Sequence, residues 1–143
     1  MSKARVNMLI NASANEIWKT ISAFDGVEKF APWIASSRVE GSGVGAKRTI
    51  VMKDGVQLFE RLERLDEAEK ILCYSITDAI SNSPLPVKDF VGTIQVGEMS
   101  QNQCKIEWSA VFDAQGRPEA EIVAEIEGML SIAIKELEKL QGS

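Results

Sequence analysis

The sequence predicts one α+β domain in which a meander of antiparallel strands packs against a long C-terminal helix. Three observations predict it. Six runs with apolar alternation lie between about residues 36 and 113. Helical spacing appears on both sides of that block, and a further strand precedes the first helix. The 143 residues, 45% apolar and 26% charged, suit a single ordinary globular unit spanning 1–143.

The N-terminal stretch 5–11 alternates Val6, Met8 and Ile10, as a strand does. Ser13-Ala14-Asn15-Glu16 follows. This is a capping box, in which each side chain satisfies an orphan N–H at a helix start. The helix runs to about Ser22 with Ile17, Trp18 and Ile21 on one face, and Asp25-Gly26 ends it. A short helical turn over 26–30 stops before Pro32. Strands are expected at 38–40, 47–52, 56–65, 71–77, 87–96 and 104–112. Asp54-Gly55 signals a two-residue hairpin turn, both of whose positions want positive φ. The other joints are polar, and the loop 78–86 contains two prolines. Pro118 suits a first helical position. Glu119 and Glu121 sit near the positive end of the following helix dipole, Lys135 and Lys139 near the negative end. Ile122, Ile126, Met129, Leu130, Ala133, Leu137 and Leu140 give that helix, about 118–140, its apolar stripe.

Composition excludes several functions. The net charge is −5 and no basic run is longer than Lys47-Arg48, so there is no concentrated positive face for nucleic acid or an anionic membrane. No apolar run approaches the roughly 18 residues that cross a bilayer. The start of the chain lacks a signal-peptide core, so it reads as cytoplasmic, without stable membrane insertion. Histidine is absent. That rules out Ser-His-Asp and Cys-His nucleophiles and argues against zinc; no metal and no cofactor is expected. Cys73 and Cys104 have no CxxC partner and read as two reduced thiols, a disulfide being the alternative. Monomer and homodimer both remain open.

Strand alternation shows which residues share the face the helix covers. On the run 56–65 that face carries Val56, Leu58, Glu60 and Leu62. A carboxylate there must lie at the rim, in a buried ion pair or against a wet cavity. Leu72, Tyr74 and Ile76 share a phase, as do Phe90, Gly92, Ile94 and Val96, and Cys104, Ile106, Trp108, Ala110 and Phe112. Tyr74 and Trp108 have polar handles that need a partner when buried, whether ligand, water or side chain. Gly92 in a strand and Gly128 in a helix mark either close packing or room for a ligand. Gly41-Ser42-Gly43-Val44-Gly45 lacks the Lys-Ser/Thr of a phosphate loop and reads as a flexible hairpin loop at a cavity mouth.

Three segments carry a resemblance: Gly43-Val44-Gly45-Ala46-Lys47-Arg48-Thr49, Glu60-Arg61-Leu62-Glu63-Arg64-Leu65-Asp66, and Tyr74-Ser75-Ile76. Glu16-Ile17-Trp18 and Trp108-Ser109-Ala110-Val111-Phe112 support them. In order and spacing they resemble the START/Bet v 1-like superfamily, in its polyketide cyclase/dehydrase-like branch, over nearly the whole chain. The resemblance implies a helix-grip fold. In it, a seven-stranded curved antiparallel sheet wraps a long C-terminal helix, with two short helices after strand 1 and a hydrophobic cavity between the layers. Relatives bind lipids, sterols, polyketides or plant hormones, and a few catalyse cyclisation or condensation. The plant abscisic acid receptors share the arrangement. By that similarity Glu60, Tyr74, Ile76, Phe90, Gly92 and Trp108 fall where cavity-lining residues sit, and Leu85-Pro86-Val87 where a gating loop sits. The receptors' histidine-arginine-leucine latch is absent here.

The expected ligand-facing set is therefore Leu58, Glu60, Leu62, Tyr74, Ile76, Val87, Phe90, Gly92, Trp108, Ile126, Met129, Leu130 and Ala133. One hypothesis is a binding module for a small hydrophobic or amphipathic molecule, lipid-, polyketide- or isoprenoid-like. Glu60 and Tyr74, with Lys88 or Arg48 near the mouth, would hold its polar end. Another is a cyclase- or aldol-type enzyme, with Glu60 as base and Tyr74 as acid or oxyanion donor. A third is a co-chaperone-like protein-interaction role.

Overall fold

The computed structural model describes residues 1–79 and 87–142. Strand β1 (Ser2–Ile10) is followed by α1 (Ala14–Ser22) and a 3₁₀ turn (Val27–Lys29). Then come β2 (Ile34–Glu40), β3 (Lys47–Met52), β4 (Gln57–Asp66), β5 (Ile71–Ala79), β6 (Val87–Ser100) and β7 (Gln103–Ala114). The chain ends in α2 (Glu119–Gly142). The strands form one antiparallel seven-stranded sheet in the order β1-β7-β6-β5-β4-β3-β2. This is the helix-grip α+β arrangement, in which the second short helix is a single 3₁₀ turn.

Local chemistry sets the elements. Ser13 caps α1, its Oγ accepting the Glu16 N–H at 3.2 Å. Ala14, Ile17, Trp18 and Ile21 are buried along the inner stripe of that helix. In β7, Cys104, Ile106, Trp108, Ala110 and Phe112 are buried in strict alternation. The same phase continues through Ile94 and Val96 of β6 and Leu72 and Tyr74 of β5. Cys73 falls in the opposite phase to Tyr74, half-buried, and both cysteines are free thiols. Helix α2 packs mainly on β1 and also touches β7, α1 and the 3₁₀ turn. Its Ile122, Ile126, Ala133, Ile134 and Leu137 are almost wholly buried. Among the described residues no helix is long and apolar enough to cross a membrane.

Two local expectations need correction. The β3–β4 hairpin has a three-residue loop, Lys53-Asp54-Gly55, closed by Met52 N–H donating to the Val56 carbonyl at 2.8 Å. Only Gly55 takes positive φ, at 90°, while Asp54 Oδ1 accepts the Val56 N–H at 3.0 Å. The Asp side chain stabilises an ordinary turn and leaves the left-handed residue to glycine. The glycine loop 41–45 is also not at a cavity mouth. Gly45 N–H donates to the Leu62 carbonyl at 2.8 Å, which ties the loop to β4, and none of its residues lines the cavity between the sheet and α2.

Leu137 is fully buried on the inner face of α2. Leu137→Ala is expected to lower the unfolding free energy by about 2–5 kcal/mol, measured by urea denaturation.

Candidate functional site

The three-residue hairpin loop sets the geometry of the site. Counting outward from Asp54, Ile50 pairs with Leu58 and Arg48 with Glu60 across β3 and β4. All four point to the covered side of the sheet, where the oppositely charged pair meets inside the protein. Arg48 and Glu60 are only 7% and 6% exposed. Arg48 Nε donates to Glu60 Oε1 at 2.9 Å, and Nη2 donates to the same oxygen. Arg48 Nη1 donates to the Phe24 carbonyl at 3.0 Å. The guanidinium also stacks 4.0 Å from the centroid of the Phe24 ring and lies 5.6 Å from that of Tyr74. Phe24 directs both groups at Arg48 from φ 65°, a left-handed conformation that bulky residues seldom adopt.

Tyr74 lies next to this pair. Its ring rests on the backbone of Gly92, its cross-strand partner. A Cβ at position 92 would come within 2.4 Å of Tyr74 Cζ, so close approach is why glycine stands there. Trp108 Nε1 donates to the Tyr74 hydroxyl at 3.3 Å. Burial, and then the negative charge of Glu60, push the Tyr74 hydroxyl well above the ordinary tyrosine range. At physiological pH it is a neutral hydrogen-bond donor.

These groups border a cavity of about 110 Å³ between the sheet and α2. Its walls are otherwise apolar. Leu58 (β4), Ile76 (β5), Val87 and Phe90 (β6), Trp108 (β7), and Ile126, Met129 and Leu130 (α2) all line it, with Glu60 and Tyr74. Val87 and Phe90 are out of phase by simple alternation. One extra residue between Lys88 and Val91, with Asp89 at φ 54°, bulges β6 and turns both inward.

Three residues of the expected set are not on the wall. Leu62 and Ala133 are closed in solid core, and Gly92 lies beneath the Tyr74 ring. Lys88 is exposed, and Arg48 is not at the mouth but buried within. Leu85 and Pro86 of the expected gating loop lie outside the described residues. The sequence reading missed Val27, Ala31, Trp33 and Ile34 after α1, and Ile50 and Met52 of β3. The β3 residues were recoverable, since they alternate with Arg48. The segment 27–34 has no periodicity to reveal its inner side.

Trp33, Met52 and Met129 also border a broader surface groove of about 600 Å³ with Lys53, Asp54, Glu125, Gly128 and Ile132. Gly128 opens onto this groove, and beyond its own helix backbone and chain neighbours nothing lies within 4 Å of where its Cβ would be. On the opposite side, Arg48, Tyr74 and Trp108 separate the cavity from a hollow of about 20 Å³. That is room for about one water.

Residues 1–141 match the profile of the family described as polyketide cyclase/dehydrase and lipid transport. Among solved structures, the chain is similar to the protein XoxI of Bacillus cereus, at 30% identity and a TM-score of 0.87. That match covers 99% of this chain and 96% of the other. An uncharacterised protein of Bacillus thuringiensis is similar at 29% identity and a TM-score of 0.87, covering 99% of this chain and all of that one. Norcoclaurine synthase from Thalictrum flavum, solved with dopamine and hydroxybenzaldehyde, is 19% identical with a TM-score of 0.73. That match covers 97% of this chain and 85% of the other, and at such identity the likeness is one of fold.

Breaking the buried pair from one side leaves a charge in the interior. Arg48→Met is expected to cost about 3–5 kcal/mol, and Arg48→Met combined with Glu60→Leu to recover a large part of it, in a double-mutant cycle by denaturation. The chain has one tyrosine, so its ionisation is directly observable. The raised value in the fold means the unfolded chain releases this proton first. The stability from Tyr74 is therefore complete below about pH 10 and lost as pH rises above it. In an alkaline titration the tyrosinate absorbance is expected to appear only together with unfolding.

Proposed function

The chain belongs to the polyketide cyclase/dehydrase and lipid transport family, within the START/Bet v 1-like superfamily, and on that premise we propose that it binds a small hydrophobic or amphipathic molecule between the sheet and α2. The observation that carries this reading is an apolar cavity built around one buried ion pair. Burying Arg48 and Glu60 is costly, and apolar residues of similar size would fill a core at least as well, which supports a role for the pair in the cavity. Apolar walls supply affinity, and a few convergent polar groups supply orientation.

The volume bounds the ligand. At about 110 Å³ the cavity is of the order of the roughly 150 Å³ engineered cavity that takes up benzene in another protein. It suits one ring, or the end of a longer lipid-, polyketide- or isoprenoid-like molecule. The remainder of such a molecule would lie in the adjoining groove past Trp33, Met52 and Met129.

The aldol-type reading, with Glu60 taking a proton and Tyr74 giving one, has less support. A hydroxyl whose proton is held this tightly is a poor acid. That suits holding a molecule better than transferring its protons.

Native mass spectrometry of the protein purified without detergent tests the proposal. Wild type is expected to retain a small amphipathic molecule that Leu58→Trp, which fills the cavity, does not. Equal retention by both proteins would place the molecule elsewhere and overturn the reading.

A further inference from the structure

We infer that the cavity selects a neutral ligand bearing a hydroxyl group and rejects carboxylates. The inference rests on the binding reading above and names the chemistry of its ligand.

Glu60 is more than nine-tenths buried and faces the cavity. Both hydrogen bonds from Arg48 land on Oε1, and among the described residues Oε2 has no donor. Yet among those residues no fully buried side-chain oxygen or nitrogen lacks a partner. Glu60 lines the cavity, so Oε2 is the carboxylate oxygen left for a ligand there. The Tyr74 hydroxyl is complementary. It accepts from Trp108, but its own proton has no acceptor among the described residues. Glu60 and Tyr74 both line the cavity, so Glu60 Oε2 is its candidate acceptor and the Tyr74 hydroxyl its candidate donor. A hydroxyl group both donates and accepts, so it satisfies both at once.

Charge decides against the alternatives. Glu60 neutralises Arg48, so the polar end of the cavity has no net charge left to attract an ion. A ligand carboxylate would meet Glu60 Oε2 as a second negative charge and would have no proton to give it. An ammonium group would satisfy Glu60 but stand beside Arg48 and leave the Tyr74 proton without an acceptor. A hydrocarbon leaves both polar groups bare, and a site built for a hydroxyl discriminates against its absence. Glu60 is therefore a specificity-determining residue as well as the partner of Arg48.

Four probes that share a tolyl ring separate these cases: p-cresol, p-toluate, p-methylbenzylammonium and p-xylene, titrated by calorimetry or NMR shift. In wild type, p-cresol is expected to bind about tenfold or more tightly than each of the others. Glu60→Gln removes the neutralising charge and leaves Arg48 uncompensated. In that variant p-toluate is expected to gain about tenfold and p-cresol to lose its lead. Tyr74→Phe keeps the ion pair and is expected to weaken p-cresol alone, which holds the test open if Glu60→Gln does not fold. Binding of p-xylene as tight as p-cresol, or of p-toluate tighter in wild type, overturns the hydroxyl inference while leaving the cavity a binding site. No binding of any probe, p-xylene included, overturns both readings.

Discussion

A charged pair inside an apolar interior is the constraint on which the rest of the site depends. Arg48 and Glu60 are stable there only because every surrounding element contributes. The β3–β4 register sets them opposite each other. The turn after α1 offers the Phe24 carbonyl and ring from a strained backbone. Tyr74, pressed onto Gly92 and held by Trp108, closes the far side. Strand pairing, a helix terminus and aromatic packing thus converge on one guanidinium. The cavity is the space left on the other side of that polar floor.

The faces of the strands were readable from sequence because the side-chain period of a sheet is two and burial is one-sided. Alternation located Tyr74, Phe90 and Trp108 on the covered face, and helical spacing located Ile126 and Leu130. It could not say where along that face the packing is solid and where it is open. Leu62 and Ala133 obey the same periodicity as Glu60 and Met129 but are enclosed in core. Periodicity reports direction, whereas a void depends on how side-chain volumes from several elements add.

The hairpin shows how a local misreading hides a site. A two-residue Asp54-Gly55 turn would shift the register by one and set Arg48 opposite Arg61, two like charges. With the three-residue loop, Arg48 faces Glu60. Asking which loop length makes the charges complementary would have located the pair. The segment 27–34 offers no such check: its 3₁₀ turn and irregular links carry Val27, Ala31 and Trp33 to the cavity without any repeat in the sequence.

Whether an open apolar space lies beside the ion pair is tested most directly by diffraction from crystals pressurised with xenon, which enters dry cavities without needing a polar contact. A xenon atom is expected between the sheet and α2, bounded by Ile50, Leu58, Phe90 and Leu130. An interior without xenon there, with Trp108, Phe90 and Met129 closing the gap, would contradict a binding cavity even if the fold itself were unchanged.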